Sequence, residues 1–175
     1  MSRSYGKIKS SVLRYVADLM CTAARTAPKT RGKDNLVIIS LNGTEIEKVV
    51  SRMRKIAERN NRPSFKRDAD NLKDAEYIVV IATKKAALGL DCGFCGYASC
   101  RELKRTKGVC AYNPMDLGIA LGSAVSVAAD LRVDNRIMFS IGKAVIELGL
   151  SGKDAVQAIG IPLSASGKNP FFDRG

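Results

Sequence analysis

The chain has 175 residues, 29 Lys and Arg against 17 Asp and Glu, five Cys, no Trp and no His. A hydrophobic share of 46% with 26% charged residues is a globular balance, which excludes bulk disorder and collagen-like structure. The absence of His excludes a Ser-His-Asp triad, a Cys-His dyad, His-ligated zinc or haem and a Rieske centre, so a resident metal must use Cys, carboxylates or backbone.

The length predicts a single domain spanning 1–175, with a Cys-rich loop inserted at 91–110. No apolar run approaches the roughly 18 residues that a membrane helix needs. Basic residues near Met1 are followed by no apolar segment, so no secretory signal is read and a cytoplasmic location is expected. The net charge of +12 is uneven: residues 1–62 carry 14 basic and 5 acidic side chains. Such a half-molecule excess suits either a solvated face or an anionic partner, nucleic acid included. Aromatic residues do not interleave with the basic ones, so no stacking platform for nucleic acid is read.

In chain order, residues 9–27 form an amphipathic helix on Val12, Val16, Leu19, Met20, Ala23 and Ala27, stopped by Pro28. Residues 26–34 are a polar loop rich in structure breakers. Residues 36–41 are a continuous apolar run, read as a strand buried on both faces. After Asn42-Gly43, Thr44 and Glu47 read as a capping box opening a helix over 44–59. Residues 60–73 are polar and weakly patterned, and 77–82 form a second buried strand. Residues 84–90 are a short helix or loop. Asn113-Pro114 opens a helix over 114–131, apolar on most sides and therefore central, with small residues Gly118, Ala120, Gly122 and Ala124. Residues 136–149 hold a helix, with or without a leading strand. Ser151–Asp154 resembles a helix start, 156–163 is the last strand, and 164–170 is a polar loop. Glycines at 149, 152, 160 and 167 do not compose a phosphate-binding loop. The order gives an α+β fold, a small sheet flanked by helices.

The chemistry concentrates in Cys92-x2-Cys95-x4-Cys100-x9-Cys110. Four thiolates in one short segment, without an export signal, indicate a metal site rather than disulfides. Gly93 and Gly96 allow tight turns that aim N–H groups at sulfur. Arg101, Lys104, Arg105 and Lys107 lie where cations offset the charge of a thiolate cluster. Structural zinc is the alternative, although zinc ribbons have two C-x2-C pairs and this chain has one. Cys21, on the first helix, reads as a small buried hydrophobe.

Cys92, Cys95-Gly96 and Cys100 resemble the C-x2-C-G-x3-C of the small iron–sulfur domain in corrinoid iron–sulfur proteins and some membrane electron-transport subunits. Cys110 is closer in sequence than the usual fourth ligand of that domain. Over nearly its whole length the chain resembles a microbial family of proteins described as containing a ferredoxin domain. The resemblance rests on Ala23–Asp34, Cys92–Cys100 and Leu163–Arg174. It implies an iron–sulfur cluster, of the [4Fe-4S] type, on Cys92, Cys95, Cys100 and Cys110. A second resemblance is to flavin-dependent nitroreductases: the first helix, Ala24-x-x-Ala27-Pro28, Asn35 and the following strand are similar to their opening. It implies a nitroreductase-like fold, an FMN against the 26–35 loop and a homodimer. The double-Arg-Ser that grips the flavin phosphate there is missing. Lys29, Arg31, Lys168 and Arg174 are candidate substitutes by charge.

The function expected is an iron–sulfur redox or electron-transfer protein, coupled to a flavin and serving an unidentified redox partner. The alternative is a zinc-stapled module that binds nucleic acid or protein. No residue is assigned a catalytic role, and an oxidoreductase activity is left open.

Overall fold

A computed structural model describes residues 2–106 and 108–172 of the chain. Its centre is β2 (Tyr77–Lys84), where Ile78 to Thr83 are all buried. Alternation along a strand sends successive side chains to opposite faces. Ile78, Val80 and Ala82 enter one apolar cluster, while Val79 and Ile81 enter another. β2 pairs antiparallel with β1 (Leu36–Asn42) and β4 (Ala155–Ser164), and β4 also carries the two-residue β3 (Asp134–Asn135). The strand order is β1-β2-β4-β3. The run at 36–41 therefore lies at a sheet edge. Leu36 and Leu41 are buried, but the residues between them are half-buried, which corrects the expectation of burial on both faces.

Helices cover both faces, giving three layers. On one side α1 (Tyr5–Thr26) packs with α5 (Tyr112–Asp130); on the other lie α2 (Thr44–Arg59), α3 (Pro63–Asp70) and α6 (Phe139–Glu147). The buried stripe of α1 is Leu13, Val16, Ala17, Met20 and Ala24, so the expected face is rotated and Val12 is exposed. α2 has the expected span, but Thr44 is its first helical residue and Gly43, at φ 49°, is the cap. No side-chain bond closes the expected capping box. α3 was absent from the sequence reading. Pro63 starts it, and Phe65 and Ala69 fix it to the core.

α5 begins at Tyr112, with Asn113 inside it rather than capping it. Only one of its faces is buried, through Leu117, Ala120, Leu121, Ala124 and Ala128. Met115, Gly118, Ile119 and Gly122 are exposed, which corrects the reading of a helix enclosed on most sides. Residues 151–154 turn into β4 and begin no helix. α6 crosses β4 at a glycine: a Cβ on Gly142 would sit 1.6 Å from the Ala158 carbonyl oxygen. Among the described residues no helix is long and apolar enough to cross a membrane.

Candidate metal centre

β2 ends at Lys84, and the chain returns to regular structure only briefly before α5, in the single turn α4 (Cys100–Lys104). This excursion has a small core of its own. Leu88, Leu103 and Cys110 are buried together, with Ala87, Cys95, Tyr97 and Tyr112 against them. Ser99 caps α4 by accepting the Glu102 N–H at 3.2 Å, and the Glu102 carboxylate accepts the Ala98 N–H at 3.1 Å. Phe94 stacks on Tyr112 with ring centres 6.0 Å apart. These contacts hold the loop by local means, as a segment outside the main core requires.

All four clustered cysteines line one small depression, together with Leu88, Asp91, Tyr97 and Tyr112. Cys92 is exposed, Cys95 and Cys100 are half-buried, and Cys110 is buried. The backbone around them turns tightly. Gly93 and Gly96 have φ of 74° and 82°, a region that residues with a Cβ seldom enter, and the Gly96 N–H closes a turn on the Gly93 carbonyl at 2.8 Å. Asp91, at φ 47°, faces Cys100 in a double link: its N–H donates to the Cys100 Sγ at 3.4 Å, and its carboxylate accepts the Cys100 N–H at 2.5 Å.

The donor set therefore fits a thiolate-bound group: four sulfurs, one pocket, and an N–H on sulfur. Among the described residues, no three His, Cys, Asp or Glu side chains are gathered closely enough to hold a single metal ion. Tetrahedral zinc with sulfur at about 2.3 Å needs sulfurs roughly 3.8 Å apart. Arg101, Lys104 and Arg105 are exposed on and after α4, and Lys107 lies outside the described residues.

Lys29, Arg31 and Asn35 lie at the end of the sheet where the cysteine loop emerges. The Lys29 ammonium is spent on the last carbonyls of α1, donating to Ala24 at 3.2 Å, Ala27 at 2.8 Å and Arg25. Arg31, at φ 57°, donates to the Leu88 carbonyl at 2.8 Å and so ties the α1 exit to the cysteine loop. The Asn35 Nδ2 is buried without a hydrogen-bond partner, as is that of Asn113. Lys168 follows β4 at the opposite end of the sheet, with Asp70 and Asp74 around the same depression. Nine residue steps along β4 separate the two ends by about 30 Å. Arg174 lies outside the described residues. Among the described residues, Lys168 and the Lys29, Arg31 and Asn35 group are thus not gathered into one set.

Two connections were missed by the sequence reading. Asp116, nearly buried, accepts both the N–H and the hydroxyl of Thr30. Asn113 accepts the Ala86 N–H through its Oδ1 at 3.3 Å. Both join segments far apart in sequence, and no local pattern marks them. Cys21 stays apart from the site. Burial, aided by Asp18, pushes its thiol up to about 11, as suits an unreactive packing residue.

A model of a family described as "uncharacterized protein containing a ferredoxin domain" matches residues 106–174, a span that includes Cys110 and leaves out Cys92, Cys95 and Cys100. A protein of Archaeoglobus fulgidus described as uncharacterized is 42% identical over 175 residues, covering 95% of this chain and 94% of that protein. Among solved structures, a nitroreductase with bound FMN from Desulfitobacterium hafniense superposes with a TM-score of 0.61 at 12% identity, over 88% of this chain and 78% of that one. Nitroreductase CinD from Lactococcus lactis, in complex with nicotinic acid, gives 0.62 at 15% identity, over 91% and 84%. A BluB-like flavoprotein from Clostridium difficile gives 0.58 at 15% identity, over 89% and 81%. The fold is that of the nitroreductases, as the opening segment implied.

Proposed function

Because the chain belongs to the family of uncharacterised proteins containing a ferredoxin domain, we propose that it is a redox protein carrying a [4Fe-4S] cluster on Cys92, Cys95, Cys100 and Cys110. The observation that carries this reading is the convergence of all four thiols on one pocket, with glycine turns and an N–H on sulfur around them. When bound, such a cluster supplies one-electron exchange. Around it, the residues of the chain have definable tasks. The buried Cys110 and Leu88 keep water from the inner side of the pocket. Asp91 fixes the Cys100 backbone, and Arg31 anchors the loop to the α1 exit. The cations of α4 lower the cost of a negatively charged centre.

Zinc is the less favoured occupant, because the segment has one C-x2-C pair where zinc ribbons have two. FMN is a secondary part of the proposal. It is supported by the likeness to FMN-bearing neighbours and by the unpartnered Asn35 amide. One chain does not bring Lys168 to that end of the sheet, so an FMN phosphate would need cations from a second copy. The open apolar face of α5, with Met115 and Ile119, is where a second copy would dock. Iron, acid-labile sulfide and flavin analysis of protein prepared without oxygen tests this reading. Iron with sulfide supports it, and zinc alone overturns it.

A further inference from the structure

The chain has two basic surfaces, and they differ in one respect. On the α2 and α3 side, Arg52 and Arg59 pair with Glu147, Arg54 with Asp70, and Arg67 with Asp68. That face is partly neutralised: among its described residues Lys48, Lys55, Arg62 and Lys66 are exposed without an ion pair.

A second set of cations lies on the segments beside the cysteine pocket. Arg101, Lys104 and Arg105 are exposed on and after α4, which opens at Cys100, and Lys84, Lys85 and Lys153 are exposed on neighbouring segments; none of the six lines the pocket itself. The segments that carry them touch. The Lys85 ammonium donates to the Thr106 carbonyl at the end of α4, and the Lys85 N–H donates to the Asp154 carbonyl at the start of β4. Among the described residues none of the six cations enters an ion pair. Two carboxylates of the cysteine loop are committed to backbone: Asp91 to the Cys100 N–H and Glu102 to the Ala98 N–H. The same loop exposes two large apolar side chains, Phe94 at 68% and Leu90 at 40%. A small apolar centre within an unpaired cationic rim is the anatomy of a weak, charge-steered docking site of the low-area class.

We propose that this rim is the docking surface for an acidic one-electron carrier protein. The proposal rests on the redox reading above and adds the partner to it. Charge complementarity selects an acidic partner. The position of the rim beside the four cysteines selects an electron carrier, because only there does a docked redox centre lie against the pocket. Nucleic acid is less favoured, because the loop exposes one aromatic, Phe94, while Tyr97 and Tyr112 are half-buried.

The test is binding of an oxidised, strongly acidic two-cluster ferredoxin, measured by biolayer interferometry on the intact chain at about 20 mM and about 300 mM salt. The wild type is compared with the triple variant Arg101→Glu, Lys104→Glu, Arg105→Glu. A redox-inert acidic protein of matching size and charge is the control. The expected result is ferredoxin binding that weakens steeply with salt and falls by about tenfold or more in the variant. Weaker binding of the control is also expected. Equal binding of the control, or unchanged binding by a variant that melts like the wild type, overturns the proposal. So does a variant that loses affinity for single-stranded RNA while keeping it for ferredoxin. Iron analysis of the same sample separates the two readings. Iron without ferredoxin binding removes the docking surface alone, and zinc without iron removes both.

Discussion

Thr30 and Asp116, 86 residues apart, are joined twice: the Thr30 hydroxyl reaches the carboxylate at 2.8 Å and its N–H at 3.1 Å. The pair pins the turn after α1 to α5. Arg31 carries the link onward to the Leu88 carbonyl in the cysteine loop. The α1 exit, the start of α5 and the cysteine loop are therefore one hydrogen-bonded unit.

Replacing Asp116 by Ala leaves the Thr30 N–H without its acceptor in a part-buried place. A loss of about 2 kcal/mol is expected, which lowers Tm by roughly 4–8 °C in a chain of this size. Thermal melts of Asp116→Ala and Thr30→Val check this, with the Val variant losing less because the N–H bond survives.

Arg31→Ala removes the tie to Leu88 but leaves the core untouched. Global stability should change by less than about 1 kcal/mol, since the lost bond is partly exposed. The loop itself loosens. A metal chelator should then strip the cysteine site several times faster than in the wild type, as read by stopped-flow absorbance.

Two glycines should respond in opposite directions. Gly142→Ala drives a methyl into the Ala158 carbonyl and forces α6 off β4. That should cost about 3 kcal/mol or more. Gly118 lies in α5 with nothing within 4 Å of a Cβ built on it. Gly118→Ala should gain up to about 1 kcal/mol from helix propensity. Urea unfolding of both variants measures the contrast.

Glu147 sets an acid limit on stability. The Arg59 guanidinium, 2.7 Å away, holds its carboxyl below the ordinary glutamate value, with Lys143 and Arg52 adding to the effect. A depressed folded-state value stabilises the protein above the unfolded value, and the contribution disappears as pH falls through the folded one. The urea midpoints of wild type and Glu147→Gln should therefore differ at neutral pH. They should begin to converge as pH falls through the ordinary glutamate value of about 4.3, and meet once the wild-type carboxyl has taken up its proton below its lowered folded value.

The three long strands and α2 were legible because their signals are local, whereas the two-residue β3 was not. A run such as Tyr77–Ala82 has few alternatives to a doubly covered strand. α3 was not legible, since Phe65 and Ala69 are spaced within a polar segment whose hold comes from contacts with other elements. On α1 the apolar residues allow two neighbouring stripes, and packing against α5 selected the one containing Leu13 over Val12. At the site, the four cysteines were legible because they fall within nineteen consecutive positions. The split between Lys29 and Lys168 was not. Charge alone carries no information about which end of a strand a residue will occupy, and the ten-residue β4 sends Lys168 to the far side. The cation on Lys29, free in the sequence, is consumed by the end of α1.

The central claim is that four cysteines hold a redox cluster. The most direct measurement is iron and acid-labile sulfide per chain, with a visible spectrum before and after reduction, on protein prepared without oxygen. Serine variants of Cys92, Cys95, Cys100, Cys110 and Cys21 are prepared in parallel. The account predicts about four irons and four sulfides per chain, a broad visible band that bleaches on reduction, and loss of both in each variant except Cys21→Ser. Colourless protein holding about one zinc per chain, or iron that survives replacement of Cys110, would contradict it.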